Sequence, residues 1–152
     1  MGFYETRKLE LLNLFKLALN LKLPYKDIQE LFKRMVFNLV FANIDDHLKN
    51  HSFLYNKHND SWHLAPAYDL TYPLNALQNY KNISRALSIN GKRKNINYED
   101  LSSLATKFAI KNPKKIILDV QNATQLWNEI AYELQIPNQV IEAIANDFQS
   151  IL

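Results

Sequence analysis

The stretch Phe37-Asn38-Leu39-Val40-Phe41-Ala42-Asn43-Ile44-Asp45-Asp46-His47-Leu48-Lys49-Asn50-His51-Ser52-Phe53-Leu54 passes from an almost wholly apolar half into a dense run of polar groups. Just upstream and into it, Ile28, Leu31, Phe32, Met35, Val36, Leu39 and Val40 recur at the spacing of one helix face, which predicts a helix over residues 26–42. From Met35 to Ala42 the run is apolar on nearly every side, so this helix is expected at the centre of the molecule. A buried helix ending there gives residues 43–50 a rigid mount. Those residues gather two carboxylates, an imidazole, an ammonium and two amides, on a short helical segment or one tight loop.

Working outward, residues 6–22 carry Leu9, Leu12, Lys16 and Leu19 on one edge and Leu11, Leu14, Ala18 and Leu21 beside it, a helix with a broad apolar face that Pro24 breaks. On the other side, Ser52-Phe53-Leu54-Tyr55 and Trp62-His63-Leu64-Ala65 flank the polar turn Lys57-His58-Asn59-Asp60, which predicts a β-hairpin. Residues 70–95 read as loop, with one possible strand at Ala86-Leu87-Ser88-Ile89 before the turn Asn90-Gly91. Three helices follow. Asn97 with Asp100 predicts a capped helix over 98–110. Pro113 opens a longer one through Ile116, Ile117, Val120, Trp127 and Ile130 to about residue 134, and Pro137 opens the last, with Val140, Ile141, Ile144, Phe148 and Ile151 inward. The expected fold is mainly α, one helical domain over residues 1–152 carrying a single small β-hairpin beside the polar loop.

A chain of 152 residues can bury a substantial core, and its 47% hydrophobic and 22% charged residues are those of an ordinary globular protein. Without cysteine there is no disulfide and no thiolate metal site. No apolar run is long enough to span a bilayer, and the N-terminus lacks the apolar core of a secretory signal, so a cytoplasmic location and no membrane partner are expected. The net charge of +3 is unevenly spread: residues 81–115 hold nine Lys and Arg against two acids, whereas residues 116–152 hold five acids and no Lys or Arg. The basic third suits a face toward phosphates, although a solvated surface is the simpler reading of charge alone.

Within the polar run, Asp45 is followed five residues later by Asn50, the spacing at which kinase catalytic loops pair a catalytic Asp with a magnesium-binding Asn. Nineteen residues beyond Asn50, Leu64-Ala65-Pro66-Ala67-Tyr68-Asp69-Leu70 supplies a second carboxylate after an apolar strand, and the hairpin should return Asp69 to the side of the loop. Phosphoryl transfer rests on positioning and charge neutralisation. Asp45 is the candidate base for the attacking hydroxyl, Asn50 and Asp69 are hard-oxygen ligands suited to Mg²⁺, and His47 or, preferably, Lys49 is the cation facing the phosphoryl group. Each residue also has a plainer reading: Asp45 or Asp46 as a cap, Asn50 as a helix-end residue, Asp69 as an Asx-turn, His58 and His63 as surface groups of the hairpin, the tyrosines as packing. His47 and His51, four apart, would share a helix face and allow a metal hydrolase, but no Glu or Cys completes a recognised zinc pattern.

In order, a buried helix, Asn-Ile-Asp-Asp-His-Leu-Lys-Asn, a hairpin and Leu-Ala-Pro-Ala-Tyr-Asp-Leu form a demanding combination, and on it the chain resembles the C-terminal part of HipA-like serine/threonine kinases, toxins of bacterial toxin–antitoxin pairs. The resemblance is carried by residues 37–54 and by Trp62-His63-Leu64-Ala65-Pro66-Ala67-Tyr68-Asp69-Leu70, more weakly by Ala86-Leu87-Ser88-Ile89-Asn90-Gly91-Lys92, and extends over nearly all of residues 25–152. It implies a kinase C-lobe-like helical domain in which Asp45 is the base, Asn50 and Asp69 hold Mg²⁺, and ATP is the phosphoryl donor; His47 and Lys49 also match the loop. The partners it implies are a protein substrate, a HipB-like antitoxin, and DNA only indirectly through that antitoxin. Kinases of this family also carry an N-terminal lobe with a nucleotide-covering loop and a phosphate-pairing Lys. Residues 1–36 read instead as two helices whose only glycine is Gly2, so the expectation is of a catalytic half that needs an N-terminal lobe supplied separately. A non-catalytic, partner-binding remnant, using the basic 81–115 segment as its contact surface, is the alternative.

Overall fold

The computed structural model describes residues 11–73 and 82–152. Its chain order is α1 (Leu11–Asn20), α2 (Tyr25–Val40), a 3₁₀ turn (Leu48–Asn50), β1 (Phe53–Asn56), β2 (Ser61–Leu64), α3 (Tyr98–Lys107), α4 (Pro113–Ala123), a second 3₁₀ turn (Thr124–Leu126), α5 (Trp127–Glu133) and α6 (Asn138–Ala145). The protein is therefore mainly helical, with one two-stranded antiparallel sheet among the described residues. The first residues of the helix expected over 6–22, and part of the loop expected over 70–95, lie outside the described residues.

Helix α2 forms the axis of the core. Leu31, Phe32, Met35, Val36 and Val40 are almost fully enclosed, by α1 on one side and by Leu101, Leu104, Ile117 and Val120 of α3 and α4 on others. Burying a side chain such as Phe32 stabilises the fold by roughly 1.5–3 kcal/mol, and α2 does so on nearly every turn. Pro24 sits at its N-cap with extended ψ, where a residue without an N–H costs least. Asp27 in the first turn ties the helix to the hairpin: its Oδ2 accepts from the Leu64 amide at 3.0 Å and meets His63 Nδ1 at 3.2 Å. His63, its side chain 38% exposed, is thus a surface group that also tethers two elements, whereas His58 is exposed in the turn.

The hairpin pairs Phe53 with Leu64 and Asn56 with Ser61, one residue displaced from the expected strands, around the turn at residues 57–60. The strand expected at residues 86–89 reduces to isolated bridge positions, with Ile89 bridging Lys92 across Asn90-Gly91 and the Ser88 carbonyl accepting from the Leu11 amide at 3.1 Å. Both turn residues have positive φ, 51° and 76°, which is the two-residue hairpin geometry that Asn-Gly favours. Asn97 and Asp100 form the full capping box at the start of α3. The long helix expected over 113–134 is interrupted: Thr124 turns its hydroxyl back to the Gln121 carbonyl at 2.7 Å, and the ladder tightens to a 3₁₀ turn before α5 resumes. As a result Ile130 is 47% exposed and does not continue the buried face of α4. In α6, Ile141 and Ile144 are buried as expected and Val140 is half-buried; the helix ends at Ala145, and Phe148 and Ile151, expected on its inner face, are half-buried in the chain beyond it.

Candidate functional site

Ala42, at φ 59°, ends the helical path of α2 and turns Asn43 back into the core. There the Asn43 amide donates both to Asn38 Oδ1 and to the carbonyl of Asp69, each at 3.1 Å. One buried side chain thereby joins the last turn of α2 to the start of the polar loop and to the segment after the hairpin.

The next residues alternate between core and solvent, and the His47 amide closes a tight turn on the Asp45 carbonyl at 2.9 Å around Asp46. Ile44 and Asp46 point inward, 5% and 1% exposed, while the Asp45 side chain between them is 65% exposed. This alternation separates two carboxylates that look equivalent in sequence. Asp46 makes a buried ion pair with Arg85 and also lies against the Leu87 amide at 3.5 Å. The Ala86 amide donates to the Ile44 carbonyl at 2.8 Å, which fastens the loop to residues 85–87 from a second direction. Burial pushes the Asp46 carboxyl up to about 6, opposed by the adjacent guanidinium and the Leu87 amide. Asp46 is a structural anchor; Asp45 is the carboxylate presented to solvent.

Beyond Asp46 the loop closes in the 3₁₀ turn Leu48–Asn50. The Asn50 Nδ2 donates to the Asp45 carbonyl at 3.1 Å, so the Asn five residues after the Asp holds the backbone of that Asp. His47 Nε2 lies 3.9 Å from Asp45 Oδ1, close enough to orient the carboxylate but too far for a direct hydrogen bond. Lys49 is exposed, and its carbonyl accepts from the Tyr68 hydroxyl at 2.7 Å. That hydroxyl also meets Ser52 Oγ at 2.6 Å, and the Ala65 amide donates to the Ser52 carbonyl at 2.9 Å. These bonds lay the Leu64–Leu70 segment along the loop. Asp69 follows at φ 55°, exposed, with its carboxylate making no hydrogen bond or ion pair among the described residues.

His47 and His51 do not share a helix face. They flank the 3₁₀ turn with extended ψ at both positions. No group of three or more His, Cys, Asp or Glu side chains able to hold a metal ion occurs among the described residues. His51 is enclosed with neither ring nitrogen partnered, and its pKa falls to about 4, chiefly through burial, with Arg34 and His47 adding to the effect. It is a neutral packing residue at neutral pH.

A family model described as the HipA-like C-terminal domain matches residues 2–136. The chain belongs to the HipA-like C-terminal domain family. Comparison with curated proteins and with solved structures gave no match.

In this HipA-like domain the two segments that carry the residues singled out by sequence lie side by side. Asp45, Lys49 and Asp69 are exposed, His47 and Asn50 are half-buried, and the Asn43 and Tyr68 hydrogen bonds bring the two segments that carry them together. Sequence reasoning missed the residues beneath. Arg85, Asn43 and the Tyr68 hydroxyl carry the architecture of the site, and Tyr68 is a strap rather than packing. The one local signal for Arg85 is its place two residues before Leu87, whose buried face it would share in an extended segment. Asn50 spends its Nδ2 on the Asp45 carbonyl and keeps its oxygen, and the Asp69 carboxylate has no partner among the described residues; both are hard oxygens of the kind Mg²⁺ takes.

Proposed function

We propose that this domain is the catalytic half of a HipA-like protein serine/threonine kinase, transferring the γ-phosphoryl group of ATP to a Ser or Thr hydroxyl. The observation that supports the reading most directly is the alternation at Ile44, Asp45 and Asp46, with Asn50 braced on the Asp45 carbonyl. It presents one carboxylate, rigidly mounted, beside an amide and a second carboxylate free to meet phosphates. Asp45 accepts the proton of the attacking hydroxyl, with His47 orienting it from 3.9 Å. Asn50 and Asp69 are the ligands for Mg²⁺, which when bound neutralises phosphate charge. Lys49 faces the transferring group as a mobile cation. Only Gly2 and Gly91 occur in the 152 residues, so a glycine-rich nucleotide-covering loop must come from outside them, and tight ATP binding requires those contacts.

Calorimetry of Mg·ATP, with this chain alone and with an N-terminal-lobe protein added, tests the proposal. Binding in the mixture, lost in Asp69→Asn and kept in Asp45→Asn while phosphoryl transfer disappears, is the expected pattern. Full transfer by Asp45→Asn would remove Asp45 from the role of base, and no nucleotide binding in any mixture would leave the domain without a catalytic role.

One observation favours a second reading, a domain that holds a protein partner such as an antitoxin. Leu126, Ile130 and Leu134 lie at successive four-residue intervals and are 53%, 47% and 69% exposed, an apolar stripe along α5. Copurification that fails on Ile130→Lys while the fold is kept would support that role.

A further inference from the structure

A cleft of about 390 Å³ that includes Arg85 in its wall lies between the end of α2, residues 93–96 and the chain after α6. Its walls are of two kinds. Leu39, Ile44 and Ile96 give it an apolar floor, and Arg85, Arg93 and Lys94 bring three cationic side chains to the same space, with Asp147 the single carboxylate among the lining residues. Among the described residues, the carboxylates at this site are Asp147 and, behind Arg85, Asp46. One of those carboxylates, Asp147, already accepts from the Tyr72 hydroxyl at 2.6 Å. Arg85 is the telling group. It is 5% exposed, its Nη2 is committed to Asp46, and its Nε is buried with no hydrogen-bond partner. A buried guanidinium N–H left unpaired costs free energy that a bound acceptor would recover.

We propose that this cleft is a binding site for a phosphate dianion or phosphate monoester, held by Arg85, Arg93 and Lys94. The guanidinium fork suits a tetrahedral oxyanion better than a single carboxylate, because several oxygens can accept from two arginines at once. The volume exceeds what a lone phosphate fills, and the apolar floor beside the cations suits the carbon atoms of a phosphorylated side chain. Site and catalytic loop share Arg85 and Ile44, so an occupied cleft would brace the same mount that presents Asp45. The inference does not rest on the kinase reading, since no nucleotide or magnesium enters it.

The test is titration of the full chain, without Mg²⁺ and at low ionic strength, with inorganic phosphate and with a phosphoserine peptide beside its unphosphorylated form. Saturable binding is expected, weakened about tenfold or more by Arg93→Ala with Lys94→Ala, and unchanged by Lys114→Ala with Lys115→Ala. A phosphopeptide that binds at least about tenfold more tightly than free phosphate identifies a phosphorylated segment as the ligand; equal affinities identify the free ion. Absence of saturable binding would overturn the site, as would equal binding by the Arg93/Lys94 variant. So would tight binding of a polynucleotide with none of phosphate, which would make the cations part of an extended nucleic-acid surface.

Discussion

Asp46 and Arg85 lie 1% and 5% exposed, and their pairing holds residues 43–50 against residues 85–87. Removing one partner strands the other charge out of water, which typically costs about 3–5 kcal/mol, far more than the pair contributes over an apolar replacement. Asp46→Asn is therefore expected to lower the urea midpoint sharply, by an equivalent of about 3 kcal/mol, while Asp46→Leu combined with Arg85→Met recovers most of the loss. Equal destabilisation by single and double variants would mean that the pair is held by its surroundings rather than holding them. His51 offers a test by pH. Its folded pKa of about 4 lies below the ordinary 6.5, so the unfolded chain takes up its proton first, and stability present above pH 6.5 is lost as pH falls toward 4. Asp46, raised to about 6, works in the opposite sense, gaining stability as pH falls from 6 toward 3.8. Replacing His51 by Gln leaves only the second effect. Between pH 7 and 4.5 the variant should then lose about 2 kcal/mol less than the parent, read from denaturation curves at each pH.

At the scale of elements, helix ends explain how a chain with so few glycines still turns tightly. Lys22, Ala109 and Gln135 each take the left-handed conformation just after a helix, at φ 56°, 52° and 57°. Each is followed by an amide that reaches back to the helix: Leu23 to Ala18, Ile110 to Ala105 and Ile136 to Ala131, at 3.1, 2.9 and 3.0 Å. A Cβ at that conformation costs about 1–2 kcal/mol, partly offset by the smaller entropy of the unfolded chain relative to glycine. Ala109→Gly should raise stability by about 0.5–1 kcal/mol in thermal denaturation. A fall instead would show that the Ala109 methyl contributes packing that outweighs the strain. These terminations also mark what sequence could convey. The period of α2, the Pro24 stop, the hairpin and the Asn97–Asp100 capping box were legible because each is a local pattern with one physical meaning. The break at Thr124 was not, because helical dihedrals continue through it and only a hydroxyl competing for the Gln121 carbonyl changes the ladder. The strand at 86–89 breaks into isolated bridge positions because its pairing comes from a distant segment, the Leu11 amide meeting the Ser88 carbonyl at 3.1 Å, which no local pattern records. The candidate site divides in the same way: Asp45, Asn50 and Asp69 stand out by spacing, whereas the inward turn of Asp46 toward Arg85, 39 residues away, belongs to tertiary structure.

For the molecule as a whole, the end of α2 is the point at which core and loop are joined, and the chain beyond α6 clamps it. The Gln149 amide donates to the Val40 carbonyl at 2.9 Å, satisfying a helix-terminal acceptor that would otherwise lie buried without a partner. Phe148 fills the angle beside it, its ring 5.0 Å from that of Phe41 and 6.0 Å from that of Trp127, both edge-on. The Tyr72 hydroxyl reaches Asp147 at 2.6 Å, so the segment following Asp69 is drawn to the same clamp. The described contacts that hold this acid-rich tail here are rings, a backbone bond and the Tyr72 hydroxyl, and the ring and backbone contacts should survive added salt. Phe148→Ala removes the ring common to both aromatic contacts. Because that ring is half-buried, the expected loss is about 2 kcal/mol, at the lower end for an aromatic truncation. The loss should also be local. Native-state hydrogen exchange should quicken at residues 39–50 more than in α3, which these contacts do not involve. Equal quickening in both places would assign Phe148 to global stability alone and leave the mount of Asp45 to the Asn43 and Arg85 contacts.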